Sequence, residues 1–142
     1  YTYLDLEVNS QKQIHRFGLL SSAQALNVSP EQSDSVYHEL LNLHQTGGLL
    51  CGHNFRRFDQ GYLTALWSDL STLQIIDTLE LSVLAFPLEP SHKLQKDYKL
   101  SDFASNDPLE DARATRQLLE KILTVLQALP KALQQAYIWL LT

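Results

Sequence analysis

Residues 1–8 of the chain read YTYLDLEV, and their side chains alternate in character. Tyr3, Asp5 and Glu7 share one face of an extended strand, and the intervening apolar side chains share the other. This period of two predicts a β-strand, and the apolar residues predict that it is a central one. Carboxylates on a central strand are costly to bury unless they are paired or bound to a metal ion. The strand is therefore either part of a metal site or a solvated strand end.

The remaining sequence alternates between strand and helix patterns. Further strands are predicted within residues 11–20, 21–28, 49–52 and 73–76, and helices at about 30–44, 57–70, 78–86, 108–129 and 131–141. Asp77 and Asp107 each precede a helix as its N-cap, with Glu80 and Glu110 three positions later as capping-box partners. Strands that alternate with helices predict a single α/β domain covering residues 1–142.

The segment GHNFRRFDQGYL occupies residues 52–63 and contains a third acidic residue, Asp59. His53 and Asn54 offer polar groups directly after a buried strand, and Phe58 is an apolar anchor beside Asp59 near a helix start. Asp59 either joins the acids of the first strand or only complements the helix dipole. His53 is either a substrate-binding residue or a hydrogen-bonded structural histidine.

The segment NDPLEDARAT begins at Asn106. Its spacing commits Asp107 and Glu110 to helix capping, which leaves Asp111 one turn into the helix without a local role. Ala112 beside it is small, as the close approach of a strand would require. Asp111 is therefore a fourth candidate acid. The alternative is a surface ion pair with a neighbouring arginine or lysine, which would stabilise little.

These four acids, Asp5, Glu7, Asp59 and Asp111, lie in three separated blocks, so they can meet only in the folded domain. Four converging carboxylates repel one another strongly unless cations lie between them. A two-metal phosphodiester hydrolase needs this arrangement. The sequence therefore predicts a site for two divalent ions at the point where the blocks converge.

The net charge of −5 argues against a nucleic acid partner, because phosphate binding favours a basic surface. Two features weaken the objection: four of the 16 acidic residues belong to the predicted metal site, and the basic residues are grouped. One group is Arg56–Arg57, and the other contains Lys93, Lys96 and Lys99. Arg56 either contacts the backbone of a bound strand or marks a solvated helix start.

The composition is that of an ordinary globular domain, with 44% hydrophobic and 19% charged residues. A single cysteine, Cys51, excludes a disulfide framework and predicts a reducing compartment, so we expect a cytoplasmic location. No apolar run approaches a membrane span and no signal peptide is recognisable, so no membrane partner is expected. The chain begins at Tyr1 and contains no methionine, so we expect a fragment of a longer protein.

The three acidic blocks, in this order, resemble motifs I, II and III of the DnaQ-like, or DEDD, 3′–5′ exonucleases. The resemblance extends from Tyr3 to about Leu119 and includes IIDTL at residues 75–79. It implies a ribonuclease H-like fold, in which a mixed sheet is flanked by helices. The interval between the first two motifs is short for this family, so we expect a shortened first β-hairpin region with one strand abbreviated or lost. HKLQKDYKL and NDPLEDA are similar to exonuclease domains attached to bacterial RecQ-type helicases.

This resemblance implies hydrolysis of phosphodiester bonds at the 3′ end of DNA with release of nucleoside 5′-monophosphates. It implies two Mg²⁺ or Mn²⁺ ions, with Asp5 bridging both. Glu7 and Asp111 would complete the first ion site, and Asp59 would support the second through water. The implied partner is a single-stranded 3′ end, with DNA favoured by the helicase-linked similarity and RNA as the alternative. A fused or associated helicase or polymerase is also expected.

The sequence departs from the family at the general base, which is a histidine five residues before the last aspartate or a tyrosine four residues before it. Asn106 and Asp107 occupy these positions. Asn106 can orient a water but does not accept a proton at neutral pH, and Asp107 is committed as an N-cap. A missing general base typically costs about 10²–10⁴-fold in rate, so slow activity is expected. His92 is either a substitute base or a surface histidine.

Two other functions stay open. One is a catalytically impaired relative that binds nucleic acid or a partner domain, which Asn106 and the acidic net charge favour. The other is an ordinary α/β interaction domain whose acids never meet. The three blocks together favour the metal-dependent exonuclease.

Overall fold

The computed structural model of the chain describes residues 1–94 and 106–141. Lys96, Lys99 and most of the HKLQKDYKL segment lie outside the described residues. The described strands are β1 (Thr2–Val8), β2 (Ile14–Leu20), β3 (Ala25–Val28), β4 (Leu49–Gly52) and β5 (Gln74–Asp77). They form one sheet in the order β3-β2-β1-β4-β5. The β1–β2 and β2–β3 pairs are antiparallel, and the β1–β4 and β4–β5 pairs are parallel. The first strand is therefore central, as predicted.

The described helices are α1 (Asp34–Gln45), α2 (Asp59–Leu66), α3 (Thr78–Ala85), α4 (Pro108–Gln127) and α5 (Lys131–Leu141). The α/β class predicted from the alternating patterns is confirmed. None of the helices in the described part of the chain is long and apolar enough to cross a membrane.

The two faces of β1 enter different hydrophobic cores. The apolar face packs against α1 and α2, in a buried cluster that includes Leu4, Leu6, Val36, Leu40 and Leu63. The opposite face packs against α4, in a second cluster formed by Tyr3, Leu20, Cys51, Ala112 and Leu119. Each fully buried leucine contributes about 1.5–3 kcal/mol of transfer free energy, so burial on both faces fixes the register of β1.

The antiparallel part of the sheet distinguishes between the two alternatives expected for the first hairpin region, an abbreviated strand or a lost one. All three strands are present, and β3 has 4 residues whereas β1 and β2 have 7 each. A tight turn makes this short strand possible, because the hydroxyl oxygen of Ser21 accepts hydrogen bonds from the backbone N–H groups of Ala23 and Gln24, at 3.2 and 3.1 Å. The hairpin region is therefore abbreviated rather than incomplete.

Two helices are shorter than predicted. Pro30–Gln32 form a separate 3₁₀ turn, and α1 begins only at Asp34. The predicted helix at 57–70 is divided into α2 and a second 3₁₀ turn at Ser68–Leu70. Trp67 separates them with a non-helical φ of −132° and ψ of 85°, and its ring stacks on Phe17 at a centroid distance of 5.6 Å. This packing against β2 overrides the local helical preference.

The N-cap predictions at Asp77 and Asp107 are confirmed. Each carboxylate accepts a hydrogen bond from the backbone N–H two residues later, at 3.0 Å. Glu80 and Glu110, predicted as their capping partners, form ion pairs with arginines at 3.4 and 3.2 Å. The first turns of α3 and α4 therefore start where their caps dictate, which fixes the position of the residues that follow.

Candidate metal centre

Asp5 and Glu7 project from the face of β1 that α4 covers, and both are half-buried. In the antiparallel pairing, Asp5 lies opposite Gly18 of β2. A Cβ atom on Gly18 would lie 2.0 Å from the backbone carbonyl carbon of Pro108. Because Gly18 has no side chain, the first turn of α4 lies directly on the sheet beside Asp5.

This close approach brings Asp111 to the first strand. Asp111 is only 2% exposed, so the interpretation of this residue as part of a surface ion pair is wrong. Asp5, Glu7 and Asp111 each offer a carboxylate oxygen, and these three oxygens all lie within 4.8 Å of one another. Hard divalent cations such as Mg²⁺ and Mn²⁺ prefer oxygen ligands of this kind.

Asp59, the first residue of α2, is also 2% exposed. Burial raises the pKa of Asp59 to about 8, and the charges of Glu7 and Asp77 add to this rise. A backbone hydrogen bond from Leu6 acts in the opposite direction. The Oδ1 atom of Asp59 is buried and has no hydrogen-bond partner among the described residues. A buried carboxylate oxygen without a donor is costly, and a nearby cation would offset that cost.

Most of the predicted site residues line one cavity of about 260 Å³, which we call the acidic cavity. All four candidate acids line it, together with the predicted substrate-binding residues His53, Asn54 and Phe58 and with Asn106. Phe58 is 45% exposed, and its ring lies 5.4 Å from that of Tyr62. The site therefore combines an acidic floor with an aromatic ring at its edge.

The loop before α2 is held by Asp77. Besides capping α3, the carboxylate of Asp77 accepts hydrogen bonds from the backbone N–H groups of Asn54 and Arg56, at 2.9 and 3.1 Å. Asn54 has a φ of 56°, in the left-handed region that non-glycine residues seldom occupy. Asp77 thus fixes the strained backbone that leads into Asp59.

The ring of His53 is oriented by Thr78. The Thr78 hydroxyl donates to the carbonyl oxygen of Gly52 at 3.2 Å, and its oxygen lies 2.9 Å from Nδ1 of His53. These two contacts fix the orientation of the imidazole ring. His53 therefore presents an oriented ring in the wall of the acidic cavity.

Arg56 lies away from the acidic cavity and contacts β5 and α3 instead. Its guanidinium lies 3.4 Å from Glu80 and donates a hydrogen bond of 2.8 Å to the carbonyl oxygen of Ile75. These contacts hold Arg56 against β5 and α3, and it is not among the described residues that line the acidic cavity. The solvated alternative therefore describes Arg56 better than direct contact with a substrate at this site.

Asn106 and Asp107 occupy the two positions at which the resemblance would place a general base. Asn106 is exposed and lines the acidic cavity. Asp107 is occupied, because its carboxylate caps α4 and accepts a hydrogen bond of 3.1 Å from the side chain of Asn27. His92 is half-buried, with Nδ1 2.9 Å from the hydroxyl of Ser82, and it lines an adjoining cavity with Asp5 and Asp111.

Three residues that position the site were not recognised in this role from the sequence. Gly18 in the middle of a strand pattern is the signal that could have been used, because an interior glycine often marks a close backbone approach. Asp77 was predicted only as an N-cap, and Thr78 was given no role. Their further hydrogen bonds reach residues more than 20 positions away, at Asn54 and His53, and no local pattern encodes them.

The arrangement can bind divalent cations through oxygen ligands and offer a half-buried imidazole beside them. Compared with known proteins, the sequence matches no protein-family model and no curated protein.

Proposed function

We propose that the chain is a metal-dependent 3′–5′ exonuclease domain of ribonuclease H-like fold that removes nucleoside 5′-monophosphates from single-stranded DNA ends. The observation that carries the proposal is the convergence of Asp5, Glu7 and Asp111 within 4.8 Å, in a cavity that also contains buried Asp59. The mixed sheet, with three antiparallel strands followed by two parallel ones, is compatible with this fold.

The oxygen-only donor set fits Mg²⁺ or Mn²⁺. Two such ions, when bound, would lower the pKa of a coordinated water and stabilise charge on the leaving oxygen. Asp5, Glu7 and Asp111 would hold the ions, and Asp59 would hold water around them. The ring of His53 would form a hydrogen bond with a bound nucleotide, and the exposed ring of Phe58 would stack on a base.

We expect the hydrolysis to be slow. Asn106 lines the cavity where a proton acceptor would assist the attacking water, and its amide can only orient that water. A missing general base costs about 10²–10⁴-fold in rate. We propose that the protein works in a reducing cytoplasmic compartment. Its proposed partner is a helicase or polymerase that exposes single-stranded ends. DNA is favoured over RNA only through the helicase-linked similarity.

A nuclease assay tests the proposal. A 5′-labelled oligonucleotide incubated with Mn²⁺ should shorten stepwise from its 3′ end, and EDTA should stop the reaction. Asp5→Asn and Asp111→Asn should each lower the rate by more than about 10²-fold. Asp34→Asn, a change of an exposed acid on α1, is the matched control and should leave the rate unchanged. Full activity in Asp5→Asn would refute the assignment.

The second candidate is a catalytically impaired module that binds nucleic acid without turnover. Asn106 in the cavity and the commitment of Asp107 to capping favour it. Asn106→His separates the two candidates. A slow exonuclease should gain at least about tenfold in rate, with a pH profile that reports the new imidazole. An impaired module should bind the oligonucleotide and stay inactive in both forms.

A further inference from the structure

The acidic cavity adjoins two further cavities, and we call the row of three the groove. The acidic cavity shares Asp5, His53, Asn54 and Asp111 with a cavity of about 550 Å³. That second cavity in turn shares His92, Lys93 and Leu94 with a third cavity of about 520 Å³, which lies between α3 and α4. Because each cavity shares wall residues with the next, an extended ligand that begins at the acidic cavity can lead toward the third.

Among the described residues, the far end of this groove has more lysines than acidic residues, in a chain whose net charge is −5. Lys93 and Lys121 line the third cavity, and Glu89 is the one acid among the described residues in its wall. The ammonium of Lys121 lies 5.7 Å from the centroid of the Phe86 ring, which holds this charge against the groove wall. Neither lysine forms an ion pair with a described carboxylate. We call this third cavity the lysine end.

We infer that the lysine end binds backbone phosphates of the same strand whose terminal phosphodiester lies at the acidic end. The inference rests on the proposed function and specifies its substrate as an oligonucleotide rather than a mononucleotide ester. A ligand with one phosphate satisfies only the acidic end, where cations bind it. A single strand carries further phosphates along the groove, and two ammonium groups without acidic partners would attract them.

Salt dependence of binding tests this directly. Anisotropy of a labelled oligothymidylate is titrated in Mn²⁺ with the wild-type protein, and the 3′-terminal phosphodiester of the probe is replaced by a non-hydrolysable methylenephosphonate so that the probe stays intact. Each phosphate neutralised on a single strand contributes about −0.7 to the slope of log K against log salt concentration. Adding Lys93→Ala and Lys121→Ala should therefore reduce the slope by about 1.4 in magnitude.

The matched control changes two other exposed lysines, Lys12→Ala and Lys131→Ala, which lie outside the three cavities. The control should leave the slope of its parent unchanged. An unchanged slope in the Lys93/Lys121 variant, or an equal loss in the control, would overturn the inference. The inference would also be overturned if a polyglutamate peptide bound to the protein and the oligonucleotide did not.

Turnover by the active protein separates failure of the inference from failure of the proposed function. With the p-nitrophenyl ester of thymidine 5′-monophosphate, which has one phosphate, the Lys93/Lys121 variant should keep the wild-type KM. With the oligothymidylate its KM should rise roughly tenfold at unchanged kcat. If the variant kept the wild-type KM for each of the two substrates, phosphate binding at the lysine end would be refuted. Hydrolysis of neither substrate would refute the nuclease, and the binding slope would still decide the inference.

Discussion

At Asp59 the chain buries a carboxyl group whose charge is unfavourable in the metal-free protein. Its pKa in the folded state, about 8, lies above the ordinary value of 3.8, so the folded state binds this proton more tightly than the unfolded state. The resulting stabilisation is complete below about pH 4 and is lost as the pH rises through about 8. Asp59 is therefore a position where the metal-free protein loses stability as the pH rises.

We predict that the free energy of unfolding in EDTA falls between pH 5 and pH 8 and that Asp59→Asn reduces this fall. The amide keeps the shape of the side chain without the charge, so the variant should be the more stable protein in EDTA at pH 8. The expected difference is several kcal/mol at most, since one pKa unit corresponds to about 1.4 kcal/mol. Urea unfolding at both pH values measures it. A variant less stable than wild type at pH 8 would contradict this account of Asp59.

Residue patterns singled out four acids that the folded chain brings to one cavity, and three of them stand at locally unusual places in the sequence. Asp5 and Glu7 interrupt a buried strand, and Asp111 follows two acids that capping already explains. The same patterns left the role of Arg56 open, because its partners on β5 and α3 become neighbours only in the folded sheet. The role of Asp77 in holding the loop before α2 was missed for the same reason.

Among the secondary-structure elements, the contact between β2 and α4 determines whether the acids meet. Gly18→Ala would place a methyl group 2.0 Å from the backbone of Pro108, and a backbone atom cannot move aside as a flexible side chain can. We predict a loss of about 3 kcal/mol or more in the free energy of unfolding, measured by urea titration. In the fraction that folds, α4 is displaced and stabilisation by Mn²⁺ should shrink.

Gly61→Ala in α2 is the control for this change, because a Cβ atom there meets nothing within 4 Å. Alanine favours the helix over glycine, so this variant should gain about 0.5–1 kcal/mol. If both variants shifted stability by the same small amount, the direct seating of α4 on the sheet would be wrong.

The junction between β5 and α3 provides a second test at this scale. Asp77→Ala removes an N-cap and the acceptor for two backbone N–H groups of the loop before α2. We predict a loss of about 2–4 kcal/mol, from the cap and from the two stranded donors together. Asp34→Ala, at the exposed start of α1, should stay within about 0.5 kcal/mol of wild type. A loss of that small size at Asp77 would show that the loop is held by other contacts.

Over the whole molecule, the alternation of strand and helix patterns predicted the class, the central position of β1 and most element starts. Apolar patterns and helix caps encode these features locally. The division of the helix after Asp59 was not predictable, because Trp67 leaves the helical conformation where it packs on Phe17 from a distant strand. The sequence left open whether one strand of the first hairpin region is abbreviated or lost, because the tight turn at Ser21 that accommodates the short β3 depends on hydrogen bonds that form only in the folded chain.

The central claim is that Asp5, Glu7, Asp59 and Asp111 together bind divalent cations, and calorimetric thermal unfolding in EDTA and in Mn²⁺ tests it most directly. Binding to the folded state at a hundredfold excess over Kd should stabilise the wild type by about 2.7 kcal/mol per site, which is a rise of a few degrees or more in Tm. In Asp5→Asn and Asp111→Asn this rise should be largely lost, and in Asp34→Asn it should persist. A wild-type Tm that is the same in EDTA and in saturating Mn²⁺ would contradict the claim.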